Sequence, residues 1–386
     1  MSEPARNARL DTIALLASFS GSGGVERMLV NLLSALDSQG VAIDLLLLRA
    51  DSAYLRELPP GIRQIRLAGR HSQLAIPALA RYLRQAQPAA LLVAKDRAGR
   101  SAVIARALAR VKTPIALRLG THLSTAMAGR SPPERWLRYS LIRWLYPHLE
   151  AIVAVSAGVA DDVATISGVP AKRIHVVRNP VITSMLAARA RAPCHHPWLE
   201  RDDNDRIQPP VILAVGRLQR QKDFPTLIRA FAQLHQQREC RLIILGEGGN
   251  RPGLEQLVAE RGLNDAVSLP GFVANPYPFM ARASLFALSS AWEGSPNVLT
   301  EALALGTPAV ATDCPSGPAE ILQRGRFGSL VPVGDAEALA TAMAATLDAP
   351  LPADTLRAAV SEYQAERSAC RYLDLLGQIA QSSSRR

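Results

Sequence analysis

The sequence predicts an α/β protein of two domains, each built on a parallel β-sheet with helices on its faces. At 386 residues the chain is long enough for two domains that each bury a core. Short apolar runs alternate with helical stretches along most of it, which is typical of parallel sheets with crossover helices. A polar, proline-rich stretch interrupts this alternation. We therefore predict a first domain at residues 1–183, a linker at 184–210 and a second domain at 211–365.

The first domain is predicted to start with a strand at 12–18, a glycine loop at 21–24 and a helix that ends near residue 39. Its further strands are expected at four apolar runs, namely 42–48, 89–94, 115–119 and 151–155. The second domain repeats the pattern with strands at 211–215, 241–245, 267–269, 285–288 and 309–312. Loops at the carboxyl ends of such strands bind ligands, so we expect the site in a cleft between the domains.

Composition narrows the class of protein further. Hydrophobic residues make up 48% of the chain and aromatic residues only 5%, which suits an α/β protein rich in Ala, Leu and Val. The four cysteines (Cys194, Cys240, Cys314 and Cys370) are far apart, so neither a disulfide framework nor a zinc site is indicated. The apolar run at 12–19 is too short to cross a bilayer. We therefore expect no signal peptide and a cytoplasmic location, at the inner face of the cytoplasmic membrane.

Positive charge is concentrated in the first half of the chain. Residues 1–183 carry 24 Lys and Arg against 12 Asp and Glu, whereas residues 184–386 carry 20 against 21. Within the stretch 70–146 there are 14 basic residues, opposed only by Asp96 and Glu134. This excess predicts an anionic surface or substrate. A nucleic-acid-binding protein is the alternative, although the sequence shows no helix-turn-helix or RNA-binding signature.

The stretch from Trp292 to Pro308 concentrates acidic, loop and helix-start residues. Glu293 is predicted on a loop and Glu301 on the helix that follows the turn at 294–296. Ser295 or Asn297 is the expected N-cap, with Pro296 at the first helical position. The amides of the first helical residues (Asn297, Val298 and Leu299) should then face outward and attract a phosphate. A phosphate site flanked by carboxylates suits a sugar nucleotide. The alternative is that Glu301 only complements the helix dipole and Glu293 is only solvated.

This segment resembles the E-x7-E signature of retaining glycosyltransferases of family 4, in the form EGxPNVLxEAxAxGxPxV. The resemblance implies the GT-B fold, with two Rossmann-like parallel-sheet domains facing across a central cleft. In that fold the first domain lies on the acceptor side, the second binds the sugar-nucleotide donor, and the last helix, at about 366–386, crosses back to the first domain. A GT-B-fold sugar-nucleotide epimerase shares the architecture and remains an alternative, because fold does not fix function.

Further motifs extend the resemblance. Gly216, Arg217 and Lys222 match the family's G-R-L-x-x-x-K-x motif, which implies that both cations bind the donor diphosphate. The turns at Gly246 and Val273 match the family's G-x-G and G-F/Y-V turns, and the backbone near Val273 would meet the nucleotide base, although plain turn residues would look the same. The loop at 312–322 resembles a segment near the donor in bacterial enzymes that build surface polysaccharides or glycolipids.

Two motifs of the first domain also resemble the family. His122, at the end of the strand at 115–119, matches the histidine that the family places beside the donor sugar. A structural histidine in such a loop is the alternative. Gly23 and Gly24, followed by Glu26 and Arg27, resemble the GG-x-E-R loop, whose amides face the phosphates or the acceptor.

The resemblance implies a complete set of site residues. The catalytic residues would be His122, Glu293, Arg217 and Lys222. The donor-binding residues would be Gly23, Gly24, Gly216, Arg217, Lys222, Gly246, Val273, Glu293, Gly294, Asn297, Val298, Leu299 and Glu301. In that set Glu301 holds the ribose and Glu293 a hexose hydroxyl.

The implied reaction needs neither a metal nor a cofactor. The D-x-D spacing of Asp203 and Asp205 is interpreted as a solvated turn in the linker, and Cys194 with its neighbouring histidines is not assigned a metal. The reaction would be retaining transfer of a hexose or N-acetylhexosamine, with a UDP-sugar favoured as donor and an anionic cell-envelope glycan or glycolipid as acceptor. The donor is a substrate, and no nucleic acid is involved.

The stretch 133–148 alternates basic and aromatic residues. Arg135, Arg138 and Arg143 are interleaved with Trp136, Tyr139, Trp144 and Tyr146. This pattern suits peripheral contact with a membrane interface. An ordinary half-buried helix, with tryptophans in the core and arginines in solvent, is the alternative.

Overall fold

The computed structural model of the chain describes residues 12–21, 23–69, 71–200 and 209–384. The chain divides into two compact units, unit 1 (Met1–Pro180 with Ala365–Arg386) and unit 2 (Val181–Gln364). Each unit is built on one parallel sheet, so the predicted pair of Rossmann-like domains is confirmed. None of the described helices combines the length and apolar composition needed to cross a bilayer.

The strands within the described residues are β1 (Ile13–Phe19), β2 (Ile43–Ala50), β3 (Ile62–Arg66), β4 (Ala90–Ala94), β5 (Ile115–Leu119), β6 (Ala151–Ala154), β7 (Ile174–Val176), β8 (Val211–Val215), β9 (Arg241–Leu245), β10 (Val267–Gly271), β11 (Leu285–Leu288), β12 (Ala309–Thr312) and β13 (Ser329–Val331). The α-helices are α1 (Gly24–Asp37), α2 (Ile76–Ala86), α3 (Asp96–Ala109), α4 (Leu123–Met127), α5 (Pro132–Leu145), α6 (Ala157–Ser167), α7 (Met185–Ala190), α8 (Phe224–Gln237), α9 (Arg251–Glu260), α10 (Tyr277–Arg282), α11 (Asn297–Ala304), α12 (Pro318–Ile321), α13 (Ala336–Asp348), α14 (Ala353–Ala359) and α15 (Ala365–Ser384).

Both sheets have the strand order of a doubly wound fold. In unit 1 the order is β3-β2-β1-β4-β5-β6-β7, and in unit 2 it is β10-β9-β8-β11-β12-β13. Every strand pair is parallel. The order reverses between β1 and β4 in unit 1 and between β8 and β11 in unit 2. Ligands bind at the carboxyl ends of strands beside such reversals, which directs attention to the loops after these four strands.

Hydrophobic residues cover both faces of each sheet. Along β1, Ala14 and Leu16 pack into one core layer, whereas Ile13 and Leu15 pack into the layer on the opposite face. Such two-sided burial explains why the central strands are continuous apolar runs and not alternating ones. Unit 2 has the same arrangement of two core layers around its sheet.

The C-terminal helix α15 belongs to unit 1, where Tyr372 and Leu376 are buried in the same core layer as α1. The buried guanidinium of Arg118 lies beside Tyr372 of this helix. Arg118 on β5 donates from Nη2 to Asn179 Oδ1 over 2.7 Å. Burial lowers the pKa of the Arg118 guanidinium, and Tyr372 partly offsets this effect. Arg118 therefore contributes to the basic excess of the sequence without adding to the charged surface.

Most predicted strands coincide with observed ones, and five of them match residue for residue (β5, β8, β9, β11 and β12). Three strands were not predicted: β3, β7 and β13. All three lie at or near sheet edges and are short or carry charged residues, as in β3, where Arg63 and Arg66 interrupt the apolar pattern. Pairing with a neighbouring strand, which local sequence does not reveal, decides their conformation.

The predicted linker at 184–210 does not stand apart from the second domain. Residues 181–200 belong to unit 2, and Leu186 and Leu199 are buried in its core. His196 is also buried, with Nε2 at 3.2 Å from Ser268 Oγ. The polar residues at 201–208, including Asp203 and Asp205, lie outside the described residues. Proline and charge therefore marked a change of unit, but packing gives the first part of the segment to unit 2.

Lys95 has an unfavourable backbone conformation for a residue with a side chain. It follows β4 at the reversal of the first sheet, with φ at 101° and ψ at 142°, and its amide donates to the carbonyl of Arg118. We expect Lys95→Gly to raise the free energy of unfolding by about 1 kcal/mol, because glycine adopts positive φ without strain. Thermal melting would measure this as a higher Tm. Arg97→Gly, two residues further along in helix α3, is the control and should lower Tm. A lower Tm for Lys95→Gly would contradict the assignment of strain.

Candidate functional site

The loops after β8 and β11 meet at the reversal of the second sheet. The loop after β8 carries Gly216, Arg217 and Lys222, and the loop after β11 carries Glu293. Since β8 and β11 are adjacent strands, residues separated by about 70 positions in sequence come together. These are the residues that the sequence motifs predicted.

Lys222 and Glu293 form an ion pair with Nζ at 2.6 Å from Oε1. The side chains are 15% and 8% exposed, so both charges are largely removed from water. The Lys222 stem also lies against Gly216, where a Cβ would approach Cε to 2.9 Å. The glycine of the G-R motif therefore makes room for the lysine of the same motif. The sequence motifs imply separate donor groups for these two charges and do not predict their direct pairing.

Polar neighbours fix the Glu293 carboxylate. Ser290 Oγ donates to Oε1 over 2.7 Å, and Gln221 Nε2 approaches Oε2 at 3.4 Å. Gln221 also donates to the carbonyl of Trp292 over 2.9 Å, and Thr312 Oγ1 donates to the carbonyl of Ser290 over 2.6 Å. Sequence reasoning missed Ser290 and Gln221, and their adjacency to Glu293 and Lys222 was the only signal that could have indicated them.

Glu301 lies on α11 and is buried, with 6% of its surface exposed. Its Oε1 accepts a hydrogen bond from the hydroxyl of Tyr277, on α10, over 3.2 Å. The prediction that Glu293 follows a strand on a loop and Glu301 sits on the next helix agrees with the structure. Two buried carboxylates at one end of a sheet can accept hydrogen bonds from sugar hydroxyls.

The start of α11 differs from the prediction. Pro296 is the N-cap and Asn297 the first helical residue, and no side chain caps the helix. Ser295, a predicted cap, has a buried Oγ without a hydrogen-bond partner among the described residues. The amide of Leu299 donates to the carbonyl of Pro296, so it does not face outward as expected. The structure tightens this first turn and removes one of the three predicted phosphate donors.

The loop after β12 supports the turn that follows Glu293. Ser316 Oγ donates to the carbonyl of Gly294 over 2.8 Å. Gly317 has φ at 97°, and a Cβ there would lie 2.7 Å from Pro296 Cδ. Cys314 is buried beside Glu293. Burial and the charge of Glu293 raise the pKa of the Cys314 thiol to about 12, so the thiol stays protonated at neutral pH.

Closely packed glycines connect three strands of unit 2 at their carboxyl ends. Gly246, after β9, has φ at 144°, and a Cβ there would lie 1.9 Å from the carbonyl oxygen of Gly216. The amide of Gly246 donates to the carbonyl of Gly271 on β10 over 2.8 Å. Val273 follows this strand and packs partly buried against the unit 2 core. The predicted donor-binding turns at Gly246 and Val273 therefore have a packing role of their own.

Gly246→Ala should destabilise the protein strongly, by about 3 kcal/mol or more, because a side chain there meets backbone and requires a strained φ. Gly253→Ala is the matched control. Gly253 lies in α9 with open space around it, so its substitution should stabilise by about 0.5–1 kcal/mol. Denaturant unfolding of the two variants would measure the opposite signs. Equal stability of both variants would contradict the close approach of Gly216 and Gly246.

The Lys222–Glu293 pair should couple energetically in stability. Removing one charge leaves the other largely buried, so Lys222→Met and Glu293→Gln should each destabilise by about 2–3 kcal/mol. The double variant should lose less than the sum, with a coupling energy of about 1–3 kcal/mol. Urea unfolding of the four proteins measures this coupling.

The exposed pair of Arg238 and Asp348 is the control for that cycle. Its side chains are 33% and 68% exposed at a distance of 2.6 Å. Solvent screening should keep its coupling below about 1 kcal/mol. If the effects of Lys222→Met and Glu293→Gln simply add, their coupling energy is as small as that of the control pair. That outcome would refute the buried interaction.

The predicted residues of unit 1 follow β1 and β5. Gly23 is the N-cap of α1 and Gly24 its first residue, and space around Gly23 is open. Glu26 is buried and accepts the amide of Ser20 over 2.8 Å and that of Gly21 over 3.3 Å. The glutamate of the GG-x-E-R motif therefore holds two amides that lie just before the motif. Ser22 lies outside the described residues.

His122 occupies the N-cap position of α4, in the loop after β5, and its side chain makes no capping hydrogen bond. Its Nδ1 lies 2.9 Å from Thr125 Oγ1 and 3.6 Å from Asp162 Oδ1, and its side chain is 19% exposed. Asp162 in turn accepts the amide of Leu123 over 2.6 Å. The histidine is thus oriented by the start of its own helix and partly open to solvent. Its assignment as a catalytic residue stays a prediction.

The remaining predicted residues are placed as follows. Arg217 is exposed and makes no ion pair with any described residue. Gly294 and Leu299 are buried, whereas Asn297 and Val298 are half-buried at the start of α11. In the described part of the chain no group of three or more His, Cys, Asp and Glu side chains is arranged to hold a metal ion. The absence of a metal and a cofactor from the reaction stays a prediction.

Comparison with protein families identifies both units. The model described as Glycosyltransferase Family 4 matches residues 22–184, and the model described as Glycosyl transferases group 1 matches residues 209–349. The chain carries one domain of each of these glycosyltransferase families. The first domain falls mainly in unit 1 and contains His122. The second falls in unit 2 and contains Lys222, Glu293 and Glu301.

Two individual relatives are named as glycosyltransferases. The N-acetylgalactosamine-N,N'-diacetylbacillosaminyl-diphospho-undecaprenol 4-alpha-N-acetylgalactosaminyltransferase of Campylobacter jejuni is 34% identical over 193 residues, which cover 50% of this chain and 49% of that protein. The chain therefore matches about half the length of that relative. The lipopolysaccharide core biosynthesis glycosyltransferase LpsD of Rhizobium meliloti is 28% identical over 352 residues, covering 89% of this chain and 90% of that protein.

A solved structure agrees with the fold. The Anabaena protein HepE in complex with UDP-glucose superposes with a TM-score of 0.71 and 21% sequence identity, covering 97% of this chain and all of that one. At this identity the likeness shows the fold, and the GT-B class expected from the sequence is confirmed. The two glycosyltransferase domains therefore lie on the doubly wound sheets described above.

Proposed function

We propose that the protein is a retaining glycosyltransferase that moves a hexose or N-acetylhexosamine from a nucleotide-diphosphate sugar, with UDP favoured as the nucleotide. The observation that carries this proposal is the cluster at the reversal of the unit 2 sheet, where Lys222, Glu293 and Ser290 converge. Such a cluster offers a cation for a diphosphate and a carboxylate for sugar hydroxyls. The two family models add direct support for glycosyl transfer and none for an epimerase or a nucleic-acid-binding protein.

Lys222 would exchange partners when the donor binds. Without donor, Glu293 neutralises its ammonium group over 2.6 Å. A diphosphate at this place would attract Lys222 and, with it, the exposed Arg217, while Glu293 becomes free to accept a hydrogen bond from a hydroxyl of the sugar. Ser290 keeps the Glu293 carboxylate in place during this exchange, since its hydroxyl donates to the same oxygen as Lys222.

Glu301 would bind the ribose of the donor. It is held by Tyr277, and its carboxylate oxygens are the acceptors to which the ribose hydroxyls would donate. Gly294 and the first residues of α11 would approach the donor sugar and phosphates with their backbone. Gly246 would also contact the donor, Val273 would lie towards the base, and Gly23 and Gly24 would lie towards the phosphates or the acceptor.

The chemical step is proposed to proceed without a protein nucleophile or metal. The bond between C1 of the sugar and the diphosphate oxygen breaks while the acceptor oxygen attacks C1 from the same face. The proton of the acceptor hydroxyl passes to a diphosphate oxygen. Lys222 and Arg217 would stabilise the charge that develops on the leaving diphosphate. His122 would contact the donor sugar, and positioning of both substrates supplies the remaining rate enhancement.

The acceptor is proposed to be a cell-envelope glycan or glycolipid that carries negative charge. The names of the Campylobacter and Rhizobium relatives refer to diphospho-undecaprenol and to lipopolysaccharide core biosynthesis. The basic excess of residues 1–183 suits an anionic acceptor, although Arg118 and other arginines of this region bind groups within the protein. We place the reaction at the inner face of the cytoplasmic membrane.

Calorimetric titration with UDP, GDP and ADP, and then with their sugars, tests this proposal in buffer containing a chelator. We expect one nucleotide to bind selectively and Glu301→Ala to weaken it at least about tenfold, which corresponds to about 1.4 kcal/mol. Glu260→Ala, an exposed glutamate on α9, is the matched control and should bind as wild type does. Failure of the folded protein to bind any of these nucleotides would overturn the proposal.

Stereochemistry is measured on the same samples. Proton NMR of the sugar released by slow donor hydrolysis should show the α anomer first when an α-linked donor is used. A first-formed β anomer would contradict retention while leaving the nucleotide site intact. Loss of all donor hydrolysis on adding the chelator, restored by a divalent cation, would contradict the metal-free reaction.

A further inference from the structure

Helix α5 exposes large apolar side chains to solvent. Trp136 is 70% exposed, Leu137 is 55% exposed and Trp144 is 67% exposed. Exposed apolar side chains that are grouped in this way commonly mark an interaction site, whereas single ones are normal on protein surfaces. The alternative of an ordinary helix with its tryptophans in the core is therefore wrong for these two residues. A half-buried helix remains the correct description, because Ile142 and Leu145 are buried.

The exposed residues share one face of the helix. At about 100° per residue, Leu137 and Trp144 lie within about 100° of Trp136 around the helix axis. Ile142 and Leu145 lie on the opposite side and attach the helix to the core of unit 1. The face formed by Trp136, Leu137 and Trp144 is called the α5 face below.

A buried network fixes α5 on its inner side. Asp96, at the start of α3, accepts hydrogen bonds from Arg138 Nη2 over 2.8 Å and from the hydroxyl of Tyr146 over 2.9 Å. Arg100 binds the same carboxylate with two nitrogens, each at 3.1 Å. Arg138 and Tyr146 were predicted to belong to the membrane surface at 133–148, but the structure uses them to anchor the helix. The α5 face is thereby presented on a rigid support.

The charge around the α5 face is positive. Arg143 is exposed on α5 about 20° from Trp136 around the helix axis, with Nε donating to the carbonyl of Ile166, and Arg130 is exposed just before the helix. Arg135 is exposed on the opposite side of α5 from Trp144. Glu134 is the single acidic residue between 130 and 149. Tryptophan side chains are favoured where an apolar phase meets water, and arginines beside them attract anionic lipid headgroups. The combination of indoles, leucine and arginines therefore has the chemistry of a bilayer interface.

We propose that the α5 face docks the protein on an anionic lipid bilayer. Trp136, Leu137 and Trp144 insert at the level of the headgroups, while Arg143 contacts lipid phosphates. A second copy of the chain fits less well, because a symmetric interface would bring the same arginines of both copies together. The inference complements transfer to an envelope acceptor but does not rest on it, since it uses no residue of the nucleotide site.

Vesicle sedimentation with the full chain tests the docking. Wild type should sediment with vesicles of phosphatidylcholine and phosphatidylglycerol at low salt, and less with phosphatidylcholine alone or at high salt. The Trp136→Ala/Trp144→Ala variant should lose at least about tenfold in partition coefficient, and Arg143→Ala about fivefold, since each basic residue near the surface contributes about 1 kcal/mol.

A matched pair of leucines separates the α5 face from general hydrophobicity. Leu137→Ala should weaken vesicle binding, whereas Leu74→Ala, which changes a leucine that is 66% exposed elsewhere in unit 1, should not. Equal loss from both leucine variants, or failure of wild type to bind anionic vesicles, would overturn the proposal. A concentration-dependent dimer in sedimentation velocity that the double tryptophan variant abolishes would also overturn it, in favour of self-association.

Nucleotide titration of the same variants keeps the two proposals distinguishable. Trp136→Ala/Trp144→Ala should bind the nucleotide as wild type does, which also shows that unit 2 remains folded. Vesicle binding without nucleotide binding would overturn the proposed transfer and leave the α5 face standing. Nucleotide binding without vesicle binding would overturn the docking of the α5 face and leave the proposed transfer standing.

Discussion

The buried ion pair between Lys222 and Glu293 is the interaction on which the arrangement of the nucleotide site depends. Two opposite charges are largely removed from water at the end of two adjacent strands, and each is costly without the other. Ser290 and Gln221 satisfy the remaining carboxylate positions. Both charges thus have fixed positions before the donor binds. A diphosphate could then bind Lys222, and a sugar hydroxyl could donate to Glu293, with little rearrangement.

Backbone geometry makes this pair possible. Gly216 leaves space for the Lys222 stem, and Gly246 lets its own strand end approach the carbonyl of Gly216. Side chains at these positions would separate the loops that carry the charges. Unit 1 has similar contacts. Glu26 accepts the amide of Ser20 just before its own motif, and Asp162 accepts the amide of Leu123 at the start of the helix that follows His122. Residues that serve a motif chemically therefore also build the local structure around it.

The basic first half of the chain divides into internal and external charges. Arg118 is buried, Arg100 and Arg138 bind Asp96, and Arg106 pairs with Glu150. These arginines hold helices and strands together. Arg143 stays exposed beside the tryptophans of α5, where charge and apolar surface coincide. Net charge alone suggested an anionic partner, whereas the distribution of the charge locates the surface that would meet it.

The sequence by itself determined the fold class, most strands of both sheets and the motif residues of unit 2. These features follow from local patterns, because a buried parallel strand is a continuous apolar run and a glycine or proline marks its end. Tertiary structure alone decided the edge strand β3, the direct contact of Lys222 with Glu293 and the exposure of Trp136 and Trp144. Lys222 and Glu293 are 71 positions apart, and their contact depends on the order of strands in the sheet. The fate of each tryptophan likewise depended on which face of α5 packs against the core, and a helix with aromatic residues on several sides does not specify that face until its neighbours are in place.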